Sequence, residues 1–75
     1  MTTTAKQLVL CLSNDGYPAS LERRKIYQAL SDRAAHRQGL IRIIDESGDD
    51  YLYPEEFFAP ITLPASLRKA VLAAA

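Results

Sequence analysis

The chain has very little of the residue types on which most small functional sites are built. Its 75 residues include one cysteine, one histidine and no tryptophan. The single cysteine, Cys11, excludes an intrachain disulfide, and no cysteine or second histidine stands at metal-ligand spacing from His36. We therefore expect no metal site, no cofactor and no catalytic constellation, and we interpret the chain as non-enzymatic.

Long apolar runs are also missing. The run at residues 8–12, for example, is far shorter than the ~20 residues that cross a bilayer. Residues 1–5 lack the basic start and apolar run of a secretory signal. The expectation is a cytoplasmic protein with no membrane contact. A chain of 75 residues has room for one small domain with a thin core.

An excess of charge of either sign is absent as well. Nine Lys and Arg balance nine Asp and Glu, which excludes a globally basic nucleic-acid packer and an acidic mimic. The charges are nevertheless segregated: residues 22–42 hold six bases and two acids, and residues 45–56 hold six acids and no base. Such segregation can steer a charged partner. We favour the simpler interpretation that the two segments lie side by side and screen each other.

What is present is a series of short alternating apolar segments, bounded by glycine and proline turns, that predicts five strands. They cover residues 6–13, 25–30, 40–44, 50–53 and 59–63. The third and fourth form a hairpin with Gly48 at the left-handed position of its turn. Pro54 and the two acids after it suit a single helical turn, and Pro60 marks the last strand as an edge strand.

Two helices complete the prediction. Ser31 caps a short helix over residues 31–39, which Gly39 ends in the left-handed conformation. A C-terminal helix over residues 64–75 carries an apolar stripe, and we expect this stripe to cover the spare apolar face of the barrel. The stripe consists of Leu63, Leu67, Val71 and Ala74. Residues 1–5 are expected to be a disordered tail.

This order of elements resembles the Src homology 3-type small barrel. Residues 51–58, Tyr-Leu-Tyr-Pro-Glu-Glu-Phe-Phe, are similar to that family's Gly-Leu-Phe-Pro-Ser-Asn-Tyr-Val segment, and residues 20–27 fall at its diverging turn and second strand. The resemblance covers residues 6–63. It implies a mainly β fold, a small five-stranded barrel with a short inserted helix and a C-terminal α-helix packed on it. Residues 44–54 also resemble a stretch of short bacterial proteins of no known activity, which implies a bacterial source.

In the family, an aromatic groove binds proline-rich peptides. By position, Pro54 and Phe57 match the groove's proline and its last aromatic residue, and Tyr17 lies in the long loop that flanks the groove. Two departures argue against polyproline recognition: the tryptophan is absent, and residues 9–13 do not match the family's Ala-Leu-Tyr-Asp-Tyr motif. Tyr17, Pro54 and Phe57 are the candidate partner-binding groove.

The predicted function is a non-catalytic interaction module for an unidentified protein partner. The alternative is a small RNA- or DNA-binding accessory barrel with an arginine-rich face, in which Tyr27 is the one aromatic residue of the basic segment. Its candidate residues are Arg23, Arg24, Arg33, Arg37 and Arg42. An apolar face left bare by a loosely packed helix would also allow a weak homodimer in place of a monomer.

Three further features are interpreted as structural. His36 is expected to act at the negative end of the short helix, and Cys11 is expected to be a core residue. The acidic stretch 45–50 lacks the alternating ligand order of a calcium loop. We therefore interpret it as a hairpin turn with solvated carboxylates.

Overall fold

Five short strands form one antiparallel sheet in the computed structural model, which describes residues 7–74 and the side chains of residues 7–73. The strands are β1 (Gln7–Cys11), β2 (Ile26–Leu30), β3 (Leu40–Ile44), β4 (Asp50–Pro54) and β5 (Phe58–Pro60). Their order across the sheet is β4-β3-β2-β1-β5. The sheet curls into a half-barrel that is compatible with a Src homology 3-type fold. The predicted tail over residues 1–5 lies outside the described residues.

The core lies on the concave face of the sheet. Its members are Val9, Cys11, Leu21, Tyr27, Ala29, Ile43, Tyr53, Phe57 and Phe58. Both faces of β2 carry apolar side chains, so the alternation of its residues does not decide which face turns inward. The strand register decides it: Tyr27 stands opposite Val9, and Ala29 opposite Ile43.

The short inserted helix, α1 (Arg33–Arg37), connects β2 to β3. Its N-terminal cap is Asp32, and the predicted cap at Ser31 is wrong by one residue. The Asp32 carboxylate accepts a hydrogen bond of 2.9 Å from the Ala35 N–H and also binds the Arg42 side chain, so the acid at this position serves two partners. Gly39 follows the helix at a φ of +75°, the left-handed stop that the sequence predicts.

A 3-10 turn (Glu55–Phe57) follows β4, as the sequence predicts, and leads directly into β5. The last strand is shorter and earlier than expected, because it begins at Phe58 and ends at Pro60. Pro60 is the last residue of β5, and as a proline it has no N–H to donate to the hydrogen-bond ladder. One more bond, from the Ile61 N–H to the Leu8 carbonyl at 3.1 Å, continues the pairing with β1.

The C-terminal helix, α2 (Ala65–Ala74), borders the face of the sheet opposite the core through two of its residues. Val71 and Leu72 line a cavity of about 490 Å³ together with Ile26 and Ile44 of that face. The predicted stripe is wrong at Leu67, which is 55% exposed. The side chain of Ala74 lies outside the described residues. The mainly β fold class, with an inserted helix and a C-terminal helix, is confirmed.

Phe57 was predicted to line a binding groove, but it is only 9% exposed and therefore belongs to the core. The substitution Phe57→Ala is expected to lower the free energy of unfolding by about 3 kcal/mol or more, a large part of the stability of a small domain. Urea unfolding followed by circular dichroism measures this. The matched control is Leu67→Ala, an exposed apolar position, with an expected change of about 0.5 kcal/mol or less. Equal losses in the two variants would contradict the assignment of Phe57 to the core.

Candidate binding pocket beside the edge strand

The predicted groove residues are neighbours in the structure, but they do not form an open groove. Tyr17 packs edge-on against Phe57, with ring centroids 6.2 Å apart. Phe57 belongs to the core, and Pro54 is half-buried. Tyr17, at 40% exposure, is therefore the member of the three that offers the most surface to a partner.

A shallow pocket of about 360 Å³ opens beside Tyr17. It is lined by Tyr17, Ser20, Asp45, Tyr51, Leu52 and Tyr53. Tyr51 and Leu52, on the edge strand β4, are 53% and 39% exposed. The pocket thus joins the long loop between β1 and β2 to the hairpin of β3 and β4.

A buried carboxylate lies at this pocket. Asp45 is 7% exposed and is the one buried charged or polar residue among the side chains that the structure describes. Its Oδ2 accepts the Tyr53 hydroxyl at 2.5 Å, and its Oδ1 accepts the Ser47 N–H at 2.8 Å and the Ser47 hydroxyl at 2.5 Å. The prediction that the carboxylates of this turn are all solvated is wrong for Asp45.

The local sequence explains why Asp45 adopts this position. It is the first residue after β3, and the bond from its side chain to the Ser47 N–H forms an Asx turn. The Gly48 N–H donates to the Asp45 carbonyl at 3.0 Å, and Gly48 has the left-handed φ of +87° that glycine tolerates. The turn therefore points the carboxylate back across the hairpin toward Tyr53.

Backbone bonds hold the long loop against this hairpin. The Glu46 N–H donates to the Ser20 carbonyl at 3.1 Å. Within the loop, the Tyr17 carbonyl accepts from the N–H groups of Ser20 and Leu21, at 3.2 Å and 3.0 Å. The ring of Tyr17 then packs at 87° on the ring of Tyr53, with centroids 4.8 Å apart. Two walls of the pocket are fixed by these contacts.

The hydrogen bonds set the charge state of the pocket. Burial by itself raises the pKa of the Asp45 carboxyl, but the bonds from Ser47 and Tyr53 outweigh it and hold that pKa below its ordinary value. Burial and the bond donated to Asp45 both raise the pKa of the Tyr53 phenol. At neutral pH the pocket therefore contains a carboxylate and a neutral phenol.

Next to Asp45, a similar arrangement binds a cation. Glu46 Oε2 accepts the Tyr27 hydroxyl and the Lys25 ammonium, both at 2.5 Å. The Lys25 Nζ also lies 5.6 Å from the centroid of the Tyr27 ring. The bonds from Lys25 and Tyr27 lower the pKa of the Glu46 carboxyl. The hydrogen bond from the Tyr53 phenol to the Asp45 carboxylate repeats the one from Tyr27 to Glu46. Among the described residues, no cation pairs with Asp45 as Lys25 pairs with Glu46.

The basic and acidic segments do lie side by side in part. Lys25 pairs with Glu46, and Arg42 pairs with Asp50 at 2.9 Å. Four carboxylates lie between residues 45 and 50, and these two cations pair with two of them. The turn keeps an excess of negative charge beside the pocket.

The candidate arginines fall into separate groups. Arg23 and Arg24 precede β2, whereas Arg33 and Arg37 lie on α1 beyond its other end. A five-residue strand of roughly 16 Å separates the two groups. Arg42 is engaged by Asp32 and Asp50. Tyr27, the aromatic residue of the basic segment, is 5% exposed, so its ring is not accessible for stacking on a base between the two groups of arginines.

The remaining candidate residues have ordinary surroundings. Cys11 is fully buried, as expected, and burial raises the pKa of its thiol. His36 Nδ1 lies 2.6 Å from Glu55 Oε2 on the surface. Within residues 7–74, no group of three or more His, Cys, Asp or Glu is placed to hold a metal ion. None of the described helices has the length and apolar character needed to traverse a bilayer.

Comparisons with protein-family models, curated proteins and solved structures found no match.

Sequence reasoning found Tyr17 but missed the residues that complete the pocket. The sequence prediction places Asp45 among solvated carboxylates and assigns no site role to Tyr51 or Tyr53. A usable signal was present in the order Asp45-Glu46-Ser47-Gly48, because an Asx turn directs its carboxylate inward along the hairpin. The exposure of Leu52 could not be predicted. It follows from the position of β4 at the edge of the sheet, and the alternation of residues along a strand does not show the position of that strand in the sheet.

The lowered pKa of Asp45 predicts a specific pH dependence of stability. A carboxyl with a lower pKa in the folded state stabilises the fold above its unfolded pKa of about 3.9, and this contribution is lost as the pH falls through the folded pKa. The free energy of unfolding is therefore expected to fall on acidification below about pH 4. In Asp45→Asn this fall should be shallower, though not absent, because the pKa values of Asp32 and Glu46 are also lowered.

Urea unfolding between about pH 2.5 and pH 7 measures this dependence. Asp49→Asn, in the same turn but exposed, is the matched control and should follow the wild-type curve. If Asp45→Asn and the wild type lose stability in parallel, the carboxylate of Asp45 does not contribute as described.

Proposed function

We propose that the chain is a non-catalytic protein-interaction module built on a Src homology 3-like barrel, and that it binds its partner at the pocket beside β4. The observation that carries this proposal is the clustering of exposed apolar side chains. Among the side chains that the structure describes, five large hydrophobic ones are exposed, and three of these, Tyr17, Tyr51 and Leu52, belong to residues that line this pocket. Exposed apolar groups gathered in this way are typical of binding surfaces.

The edge position of β4 supports an extended ligand. β4 ends the sheet, and among the described strands it pairs with β3 alone. Its outer edge can therefore accept a further strand, while the pocket accepts a side chain from it. This combination gives affinity through the backbone and selectivity through the side chain.

The pocket is also held in place before a ligand arrives. The hydrogen bonds of Asp45 and of the loop residues 17–21 fix the rings of Tyr17 and Tyr53. Binding to a preformed surface loses less conformational entropy than binding to a mobile one. The arginine alternative has less support, because its residues are dispersed and Arg42 is ion-paired.

A display library of random peptides tests the proposal. Peptides selected on the wild type are expected to lose about tenfold or more in affinity on the double variant Tyr51→Ala, Leu52→Ala, because two central anchors each contribute about 1 kcal/mol or more. Fluorescence anisotropy measures the affinity, and circular dichroism verifies that each variant is folded. Leu67→Ala, which removes an equally exposed side chain on α2, is the control and should bind like the wild type.

Two results would overturn the proposal. One is a selection that yields no peptide. The other is a set of peptides that bind the wild type and the double variant equally. Binding of a single-stranded oligonucleotide that weakens steeply with salt, together with either result, would favour the arginines instead.

A further inference from the structure

The chemistry of the pocket indicates what kind of side chain it selects. We propose that the pocket beside β4 accepts a cationic side chain, lysine or arginine, from the partner segment. This inference rests on the proposed function and specifies its ligand.

The first argument is the pair formed by Tyr53 and Asp45. A carboxylate has about four acceptor positions, and three at Asp45 are taken: two by Ser47 on Oδ1 and one by Tyr53 on Oδ2. No ion pair to Asp45 occurs among the described residues. The remaining acceptor position is on Oδ2, the oxygen that binds Tyr53.

The second argument is an internal precedent one residue away. At Glu46, a phenol and an ammonium share one carboxylate oxygen, and the ammonium lies over the ring of that phenol. Tyr53 and Asp45 reproduce the phenol and the carboxylate at the same bond length of 2.5 Å. The component of the first arrangement that the second lacks is the cation, and a ligand can supply it.

The third argument is the aromatic walls. Three tyrosines line the pocket, and two of them, Tyr17 and Tyr51, are 40% and 53% exposed. Tyrosine faces attract cations within about 6 Å of the ring centroid. The aliphatic stem of a lysine or arginine can pack on the exposed ring of Tyr51 while its charged end lies toward Asp45.

The fourth argument is selectivity through charge. None of the six lining residues is basic, and the adjoining turn carries more carboxylates than the two cations bound to it. An acidic side chain entering the pocket would be repelled by Asp45. A neutral side chain would gain the apolar contacts alone, so the pocket distinguishes basic ligands from both other classes.

The test uses two small probes that differ in charge and little in shape, Nα-acetyl-arginine amide and its neutral counterpart Nα-acetyl-citrulline amide. Amide chemical shifts of the full chain are followed by nuclear magnetic resonance during titration. The arginine probe is expected to shift the amides of Ser20, Asp45 and Leu52 in a saturable way, and the citrulline probe to bind at least about fivefold more weakly.

Two variants make the test specific. Tyr51→Leu keeps an apolar side chain and removes a ring from an exposed position, so it should fold normally and weaken binding of the arginine probe about threefold. Leu67→Ala should leave it unchanged. Equal shifts from both probes, or no shift of the pocket amides at about 50 mM of either probe, would overturn the inference.

The library peptides separate failure of this inference from failure of the proposed function. Peptides that need Tyr51 and Leu52 but keep their affinity when every Lys and Arg is replaced by Gln would leave the interaction module standing and refute the cationic ligand. A loss of at least about fivefold on that replacement supports both.

Discussion

A buried carboxylate is costly unless its oxygens are bonded, and the arrangement around Asp45 meets that requirement. Its bonds reach forward to Ser47 in the turn and across the hairpin to Tyr53 of β4. The ring of Tyr53, held in this way, is the surface on which Tyr17 packs, and Tyr17 also packs edge-on against Phe57. One polar contact therefore orders the hairpin, the long loop and the pocket between them. The same carboxylate supplies the negative charge from which we infer a cationic ligand.

The sheet could be predicted from local patterns because its strands alternate and its turns carry glycine. Gly48 and Gly39 lie where left-handed backbone is required, and both positions follow from residue type. The inward face of β2 could not be predicted, since its apolar residues stand on both faces and only pairing with β1 and β3 decides between them. Helical periodicity likewise placed Leu67 on the apolar stripe. Periodicity does not show where along its length a helix meets a curved sheet.

The pocket was harder to predict than the fold, because its residues come from three separate segments. The resemblance to the Src homology 3-type barrel pointed to Tyr17 and Phe57, yet it could not show that the two rings pack edge-on or that Phe57 belongs to the core. Asp45 belongs to a run of acids that is ordinary surface by composition. Its burial depends on a tyrosine eight residues further along the chain and on a loop more than twenty residues before it. Such contacts are determined by topology.

A double-mutant cycle on the free energy of unfolding tests the central role of the contact between Asp45 and Tyr53. Tyr53→Phe removes the hydroxyl, and Asp45→Ala removes its acceptor together with the two bonds from Ser47. The cycle subtracts the Ser47 bonds, because they are lost equally with and without the Tyr53 hydroxyl. We predict a coupling free energy of about 1 to 2 kcal/mol between them, and additivity within about 0.5 kcal/mol when Tyr51→Phe replaces Tyr53→Phe as the control. Additivity for the Asp45 and Tyr53 pair as well would contradict the account, because the two groups would then stabilise the fold independently.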